Sequence, residues 1–525
     1  MVITLTTMKT PHLSLMAGSR KALVALAGIP GILALQSAEL EFSLAPANQN
    51  FLLGTSFAAV GDRDFDGIVD FAVADPGANV GGAFFSGTVY LVSGADGQIL
   101  HEWSGTPTPS QSFGSAIAAL DADGDGIADL AVGASGQSFG AGALSIFSGA
   151  DHAPLLQLLG PSFSYYGSAL APAGDHNGDG CEDLFVGAPR ANGGLGSVEL
   201  LSGADGASLW TVSSTNAASS FGMTLATVGD IDGDGKPDVA VGSPDYRIGG
   251  RVSLIRSSNR SEAAQITGVG FYDRLGSSLK SVDDVDGDGY PDLLIGSYSG
   301  GACYVASGVD LSILVDLSIP TQPAFQPLVA GGSIDIDADG TSDWLVGSPG
   351  FEVDGFETFG GFRVFSGADQ SVILAENSDL ARSGLGLSLA VLPGFGFAVG
   401  EPWLVDPLSG GRGGAHFWSV ASDPDSDGDG IPDSQDAVPN SNVGPTIAVQ
   451  GGESGVENRI GEDGTTLADR FDALPGPEEL GNQGRYVASL ADLLKELQEE
   501  ALISKDEAKA IHKATVQALA HRDRD

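Results

Sequence analysis

Asp230 to Pro244 reads DIDGDGKPDVAVGSP, and this stretch decides the fold. Aspartates stand at positions 1, 3, 5 and 9 of its first nine residues, and Gly235 stands at position 6. A short apolar run rich in β-branched residues follows at once, then a small-residue turn. That order reads as an acidic loop feeding a buried strand rather than a helix. Five further segments align with it: DRDFDGIVD (Asp62 to Asp70), DADGDGIAD (Asp121 to Asp129), DHNGDGCED (Asp175 to Asp183), DVDGDGYPD (Asp284 to Asp292) and DIDADGTSD (Asp335 to Asp343). Successive loops start 59, 54, 55, 54 and 51 residues apart. A fixed period of this length means a repeat architecture.

Around each loop the same punctuation recurs. The strands that follow read FAVADP, LAVGAS, LFVGAP, VAVGSP, LLIGSY and WLVGSP. About 30 residues after most loop starts comes a marker of the SGAD type, at Ser93, Ser148, Ser202, Ser307 and Ser366, preceded by strand-like stretches such as TVYLV, SVELL and FRVF. Asp and Gly tolerate the backbone of a tight hairpin turn, so the marker joins two strands. Ahead of most loops lies a hydrophobe–Gly pair: Leu53-Gly54, Phe113-Gly114, Tyr166-Gly167, Phe221-Gly222 and Leu275-Gly276. A seventh unit keeps Leu385-Gly386, AVGEP and the strand AHFWSV, but its loop LPGFGF has no aspartate. Seven units of about four strands predict an all-β, seven-bladed propeller over residues 39–421, which hides its sheet edges by radial repetition. The alternative, a β-helix or other solenoid, has repeats nearer 20–30 residues.

The hydrophobe–Gly pair, the Asp loop and the Gly-Ala-Pro turn resemble the FG-GAP repeats of integrin α-chain head domains and their bacterial relatives. Tyr166-Gly167, Asp175 to Asp183 and Gly187-Ala188-Pro189 make the clearest match. The resemblance covers about 370 residues and implies a seven-bladed propeller with calcium loops on its lower rim. The chain departs from it in two units. The sixth lacks a clear Phe-Gly pair and the seventh lacks a metal loop, and no unit is long enough to carry an inserted ligand-binding domain.

The loop chemistry fits calcium, a hard cation that takes six to eight oxygens. The expected side-chain ligands are Asp62, Asp64, Asp66 and Asp70; Asp121, Asp123, Asp125 and Asp129; Asp175, Asn177, Asp179 and Asp183; Asp230, Asp232, Asp234 and Asp238; Asp284, Asp286, Asp288 and Asp292; and Asp335, Asp337, Asp339 and Asp343. Position 7 would give a backbone carbonyl, which leaves its side chain free to vary: Ile68, Ile127, Cys181, Lys236, Tyr290 and Thr341. His176, at an even position of its loop, is expected to face solvent. An EF-hand needs a bidentate Glu at position 12; Val73, Val132, Val186, Val241, Ile295 and Val346 stand there instead. Metal-free Asp-Gly turns are the plainer reading, but four carboxylates in nine residues repel one another unless a cation sits among them. Magnesium would demand tighter octahedral geometry. Millimolar calcium at such sites contributes about 1–2 kcal/mol each, so the calcium reads as structural.

The termini have a different character. Ser19-Arg20-Lys21 precedes the apolar run ALVALAGIPGILAL and the small residues Ser37-Ala38. This is the order of a secretory signal spanning 1–38, with Met16 as an alternative start and a buried helix as the competing reading. No other stretch approaches 18 apolar residues, so a mature chain without a membrane span is expected, secreted or held at the cell surface. Residues 422–440 contain a seventh acidic run, DPDSDGDGIPDSQD, resembling one thrombospondin type 3 repeat. Its expected calcium ligands are Asp425, Asp427, Asp429, the Ile431 carbonyl, Asp433 and Asp436, and the competing reading is a metal-free acidic linker. Residues 441–484 read as a further linker. From 485 to 525, Val487, Leu490, Leu493, Leu494 and Leu497 fall on one helical face, and Ser504 with Glu507 opens a second helix. The pair reads as a helical hairpin whose stripe packs on itself or docks a partner.

Composition bounds the function. The 525 residues carry 68 Asp+Glu against 24 Lys+Arg, a formal net charge of -44, which leaves no basic footprint for nucleic acid. The expected ligand positions of the six loops hold 23 of those acids, all Asp, and those of the linker run five. Seven calcium ions would bring -44 to -30. Mean hydropathy of +0.10 and 77 glycines suit a folded, turn-rich chain. Cys181 and Cys303 lie in different units and are expected to be free. No HExxH, GxxxxGK[ST] or CxxC occurs, so an enzyme is not expected. The reading is a calcium-binding adhesion or protein-interaction propeller whose partner is an extracellular protein or glycan. A lectin-like propeller and, further off, an extracellular hydrolase stay open.

Overall fold

A computed structural model describes residues 13–16, 38–46, 52–215, 220–245, 249–270, 273–298, 301–318, 329–337, 339–349, 359–381, 384–392, 395–402, 413–420, 446–449, 452–457, 470–471, 483–499 and 503–522. Two compact units divide the chain, with the boundary after Ala421. The larger is a seven-bladed propeller. Its type blade, the third, is an antiparallel meander of Ala169–Gly174, Asp183–Ala188, Ser197–Leu201 and Ser208–Ser213, hydrogen-bonded in that order.

The innermost strands are Phe57–Gly61, Phe113–Leu120, Ala169–Gly174, Thr224–Val228, Leu275–Val282, Val329–Ile334 and Ser388–Leu392. Each touches the next in cyclic order and the seventh touches the first, so they enclose a central axis. Every second strand is buried along its whole length, for example Asp183–Ala188 and Asp343–Ser348. That explains why these strands read as continuous apolar runs rather than alternating ones. The core is divided among clusters that join neighbouring blades, such as Phe185, Val198, Phe221 and Val241 between the third and fourth.

The recurring hydrophobe–Gly and Gly-Ala-Pro punctuation has a packing cause. A Cβ added to Gly187 would lie 2.1 Å from the carbonyl oxygen of Gly222, one blade on. The same near-contact joins Gly133 to Gly167, Gly242 to Gly276, Gly347 to Gly386 and Gly400 to Gly54. At five of the seven blade joints the glycine of this turn is thus seated against the glycine that starts the following blade. At the ring seam, Leu53 also forms a parallel bridge with Gly413 of the seventh blade.

The seventh blade holds a feature the periodicity did not show. Its outer strand is Ala38–Pro46, paired antiparallel with Ala415–Val420, and Leu13–Met16 adds a fifth strand beyond it. Leu44 is buried in one cluster with Phe71 and Phe417. His416 Nδ1 lies 2.8 Å from Ser43 Oγ, and its Nε2 lies 2.9 Å from the buried Glu401. The rest of residues 1–38, read as a signal, lies outside the described residues.

The seam also buries an acid. Asp75 occupies the turn position where the next five blades carry Ala or Ser. Its Oδ1 accepts the N–H groups of Leu52 (3.2 Å) and Gly77 (3.1 Å), and Oδ2 has no hydrogen-bond partner among the described residues. Burial pushes the carboxyl up to about 7. A raised folded-state value favours the protonated form, so this contribution is complete below pH ~4 and is lost as pH rises through ~7. Asp75→Asn should therefore be the more stable protein at pH 8, by on the order of 1–3 kcal/mol, with the gap narrower at pH 5 and closed only below pH ~4. Parallel denaturant curves for the two proteins at pH 5 and pH 8 check this.

In the smaller unit, helices α1 (Gln483–Glu499) and α2 (Lys505–Arg522) form the expected hairpin. The capping box is present in both directions: Glu507 N–H donates to Ser504 Oγ (3.2 Å) and Ser504 N–H to Glu507 Oε2 (2.6 Å). The region read as a linker contributes to this core. Strands Thr446–Val449 and Gly452–Glu457 form a β-hairpin, and Val456 and Phe471 pack with Tyr486, Leu490, Leu494, Leu497 and Ile511. The short apolar strands lacked periodicity long enough to read. No described helix is long and apolar enough to cross a membrane.

Candidate functional site

The six acidic loops share one geometry. In each, the position-1 aspartate accepts the N–H of the position-6 glycine, at 2.6–3.0 Å. The position-5 aspartate accepts the N–H of position 7, at 2.7–2.9 Å. Position 6 has φ between 82 and 93° in every loop, a backbone that only glycine adopts without strain. The chain therefore curls back over its own carboxylates.

Position 9 does something the sequence did not disclose. Asp70, Asp129, Asp183, Asp238, Asp292 and Asp343 are fully buried at the start of each second strand. One carboxylate oxygen accepts the N–H of position 2, at 2.6–3.0 Å. The other accepts an N–H from the turn between the third and fourth strands: Gly94, Gly149, Gly203, Ser257, Gly308 or Gly367, at 2.6–3.3 Å. The SGAD marker travels with the acidic loop because this residue ties the two together. The conserved offset between the markers was the available signal within the chain. Burial raises the pKa of all six carboxyls, Asp129 to about 6 and Asp343 to about 7.

Ligand atoms of Asp62, Asp64 and Asp66 lie within 4.8 Å of one another, as do those of Asp121, Asp123 and Asp129; Asp230, Asp232 and Asp234; Asp284, Asp286 and Asp292; and Asp335, Asp337 and Asp339. Position 9 joins these groups in the second and fifth loops. In the third, Asn177 Nδ2 donates to Asp179 Oδ2 at 2.7 Å. Asp335 Oδ1 is buried without a hydrogen-bond partner among the described residues. Oxygen-only donor sets, crowded like charges, raised buried carboxyls and an orphaned oxygen fit a hard divalent cation. The linker set Asp425, Asp427, Asp429, Ile431, Asp433 and Asp436 lies outside the described residues.

Two expectations on single side chains resolve differently. Cys181 and Cys303 are both free. His176 is buried rather than solvent-facing, with its ring 5.7 Å from that of Phe185, and its carbonyl accepts a hydrogen bond from Lys236 of the next blade. Parity along a curled loop does not set which side faces water. Arg63 likewise reaches from the first loop to the Ala128 carbonyl beside the second.

The opposite face carries apolar side chains. In an antiparallel meander the acidic loops and SGAD turns share one end, and the second-to-third and fourth-to-first connections share the other. Those connections are stitched across blades: Ser110 N–H to Phe84 O, Gly136 N–H to Gln111 O, Tyr165 N–H to Gly140 O and Arg190 N–H to Ser164 O. Along this seam Phe139 is 94% and Phe163 69% exposed, and Phe84, Phe85 and Tyr165 are exposed as well. Phe85, Phe139, Phe163 and Tyr165 have φ of 56–60°, a costly region for aromatic residues. The Arg190 guanidinium lies 5.3 Å from the centre of the Tyr165 ring.

The FG-GAP repeat family matches residues 113–147, 166–201, 221–255 and 276–310, the first to third strands of blades two to five. The chain is 32% identical over 214 residues to integrin alpha-5 of Xenopus laevis, covering 36% of this chain and 20% of that one. It is 30% identical over 213 residues to integrin alpha-V of Gallus gallus, with the same coverages, and 33% identical over 241 residues to integrin alpha-IIb of Homo sapiens, covering 41% and 23%. The matches thus span about a fifth of those relatives' length. A crystal structure of BBS1N in complex with ARL6DN aligns over 71% of this chain and 98% of that one, at 12% identity and a TM-score of 0.45. The chain carries FG-GAP repeats on a seven-bladed propeller and is similar, over part of its length, to integrin alpha chains.

Proposed function

We propose that this chain is a calcium-stabilised β-propeller that works outside the cell as an adhesion or protein-interaction module. The observation that carries the reading is the pairing of two unlike faces: acidic loops that suit calcium on one, strained and exposed aromatics on the other. The first of these faces would bind calcium through the aspartates at positions 1, 3, 5 and 9, Asn177, and the carbonyls of Ile68, Ile127, Cys181, Lys236, Tyr290 and Thr341. Bound calcium would supply the positive charge that lets those carboxylates converge. Its role is structural, because each loop is already sewn to its blade through position 9. The linker run at 425–436 would take a seventh ion and stiffen the spacer, and the segment before Ala38 would direct export.

The opposite face, from Phe84 to Arg190, is the surface for the partner. Exposed aromatics flanked by arginine are the residue types that dominate protein interfaces. Similarity to integrin alpha chains supports the same reading. A glycan-binding alternative would want exposed tryptophan platforms. Trp103, Trp344 and Trp418 are buried and Trp210 is half-buried, while Trp403 lies outside the described residues. The test is a calcium-replete binding screen against extracellular proteins and glycans, repeated with Phe139→Ser/Phe163→Ser. Binding to a protein that falls at least about tenfold in the double variant is expected. A ligand bound equally by both forms would place the interaction elsewhere, and calcium-independent turnover of any substrate would overturn the reading.

A further inference from the structure

One ring position of the propeller breaks its pattern. The residue on each innermost strand that pairs with the third residue of a full-length second strand is Ala58, Ala118, Ala171, Ala226, Lys280 and Gly332 in blades one to six, and Ala390 takes the corresponding place in blade seven. Six of the seven are Ala or Gly, and the other is lysine. The small residues face the next blade around the ring: Ala118 packs with the third blade, Ala171 with the fourth, Ala226 with the fifth and Ala390 with the first. A Cβ on Gly332 would stand 3.0 Å from Val391 Cγ2 of the seventh blade. By the same offset Lys280 faces the sixth blade.

Lys280 is exposed, whereas Ala118, Ala171, Ala226 and Ala390 are buried. On an innermost strand, within a closed ring, the water it meets is that of the central channel. Burial nevertheless pulls its ammonium below the usual lysine range, and no neighbouring carboxylate offsets that pull. Among the described residues it has no ion-pair partner. A cation set on the ring's inner strand and lacking a counter-charge is costly to hold.

We propose that Lys280 anchors an anion site in the central channel, which takes one carboxylate or sulfate/phosphate-type group. It is separate from the cation loops and from the aromatic face, and it does not depend on either assignment. Reductive methylation with ¹³C-formaldehyde keeps the charge of each lysine and gives it an NMR resonance, and loss of one resonance in Lys280→Met assigns residue 280. Acetate and sulfate, both soluble beside millimolar calcium, are the probes. The expected result is a saturating shift of the Lys280 resonance, while exposed lysines such as Lys495 and Lys509 drift only with ionic strength. The probe that saturates at the lower concentration names the class. Lys280→Arg retains binding, followed by the anion's effect on melting temperature, and Lys280→Met loses it by about tenfold or more. A Lys280 resonance that moves only in step with the exposed lysines for both anions, or an equal melting response in the Met variant, would overturn the site.

Discussion

Excess EDTA lowers the melting temperature of the full chain by roughly 8–15 °C relative to the same protein in about 5 mM calcium. The figure follows from site chemistry. Extracellular calcium sites bind with Kd on the order of 10⁻⁴–10⁻³ M, so each filled loop adds about 1–2 kcal/mol, and six add roughly 6–12 kcal/mol. Unfolding entropy of about 2 cal/mol/K per residue over the roughly 380 residues of the propeller converts that to the stated shift. Without the cations, clusters such as Asp62, Asp64 and Asp66 stay within 4.8 Å with nothing to offset their repulsion. Magnesium should restore the transition only in part, because a flexible all-oxygen loop suits calcium better. An unchanged melting curve in EDTA would remove calcium from the account.

Gly187→Val should be the most damaging single substitution between blades, costing at least about 3 kcal/mol. The first atom of the new side chain would sit 2.1 Å from the Gly222 carbonyl oxygen and 3.2 Å from Ala169 Cβ. Ala169 belongs to the inner strand of the third blade and Gly222 to the turn that opens the fourth, so neither can move without opening the joint between those blades. Gly82→Ala is the control. It pays for its φ of 85°, with nothing within 4 Å of the new Cβ, and should cost about 1 kcal/mol. Chemical denaturation of the two variants separates a clash from a backbone effect. Equal losses would mean that the paired glycines serve the turns and not the blade joint.

The repeat was legible because each blade writes the same two signals, the acidic loop and the buried strand behind it, at one spacing. Seven blades could be counted even though the seventh has no metal loop. Its closing strand was not legible. Ala38–Pro46 lies outside the period and pairs with Ala415–Val420 at the other end of the propeller sequence, a contact that no local pattern encodes. The ligand types of the loops were readable from their spacing, but the second task of position 9 was not. That task depends on a hairpin some 20 residues away folding back onto Asp183 and its counterparts. His176 shows the same limit: its neighbour Lys236 comes from the next blade. In the smaller unit the helices announced themselves through their stripe and capping box, whereas the β-hairpin at 446–457 is too short to show a period.

Calcium stoichiometry tests the central claim most directly. Full-length protein, stripped with EDTA and dialysed, is titrated by calorimetry while bound metal is counted independently by atomic absorption. The account predicts about six calcium ions per chain from the propeller loops and a seventh from residues 425–436. Asp230→Asn/Asp232→Asn should remove one of them and leave the rest. Two ions or fewer per chain, or a count unchanged in that double variant, would contradict it.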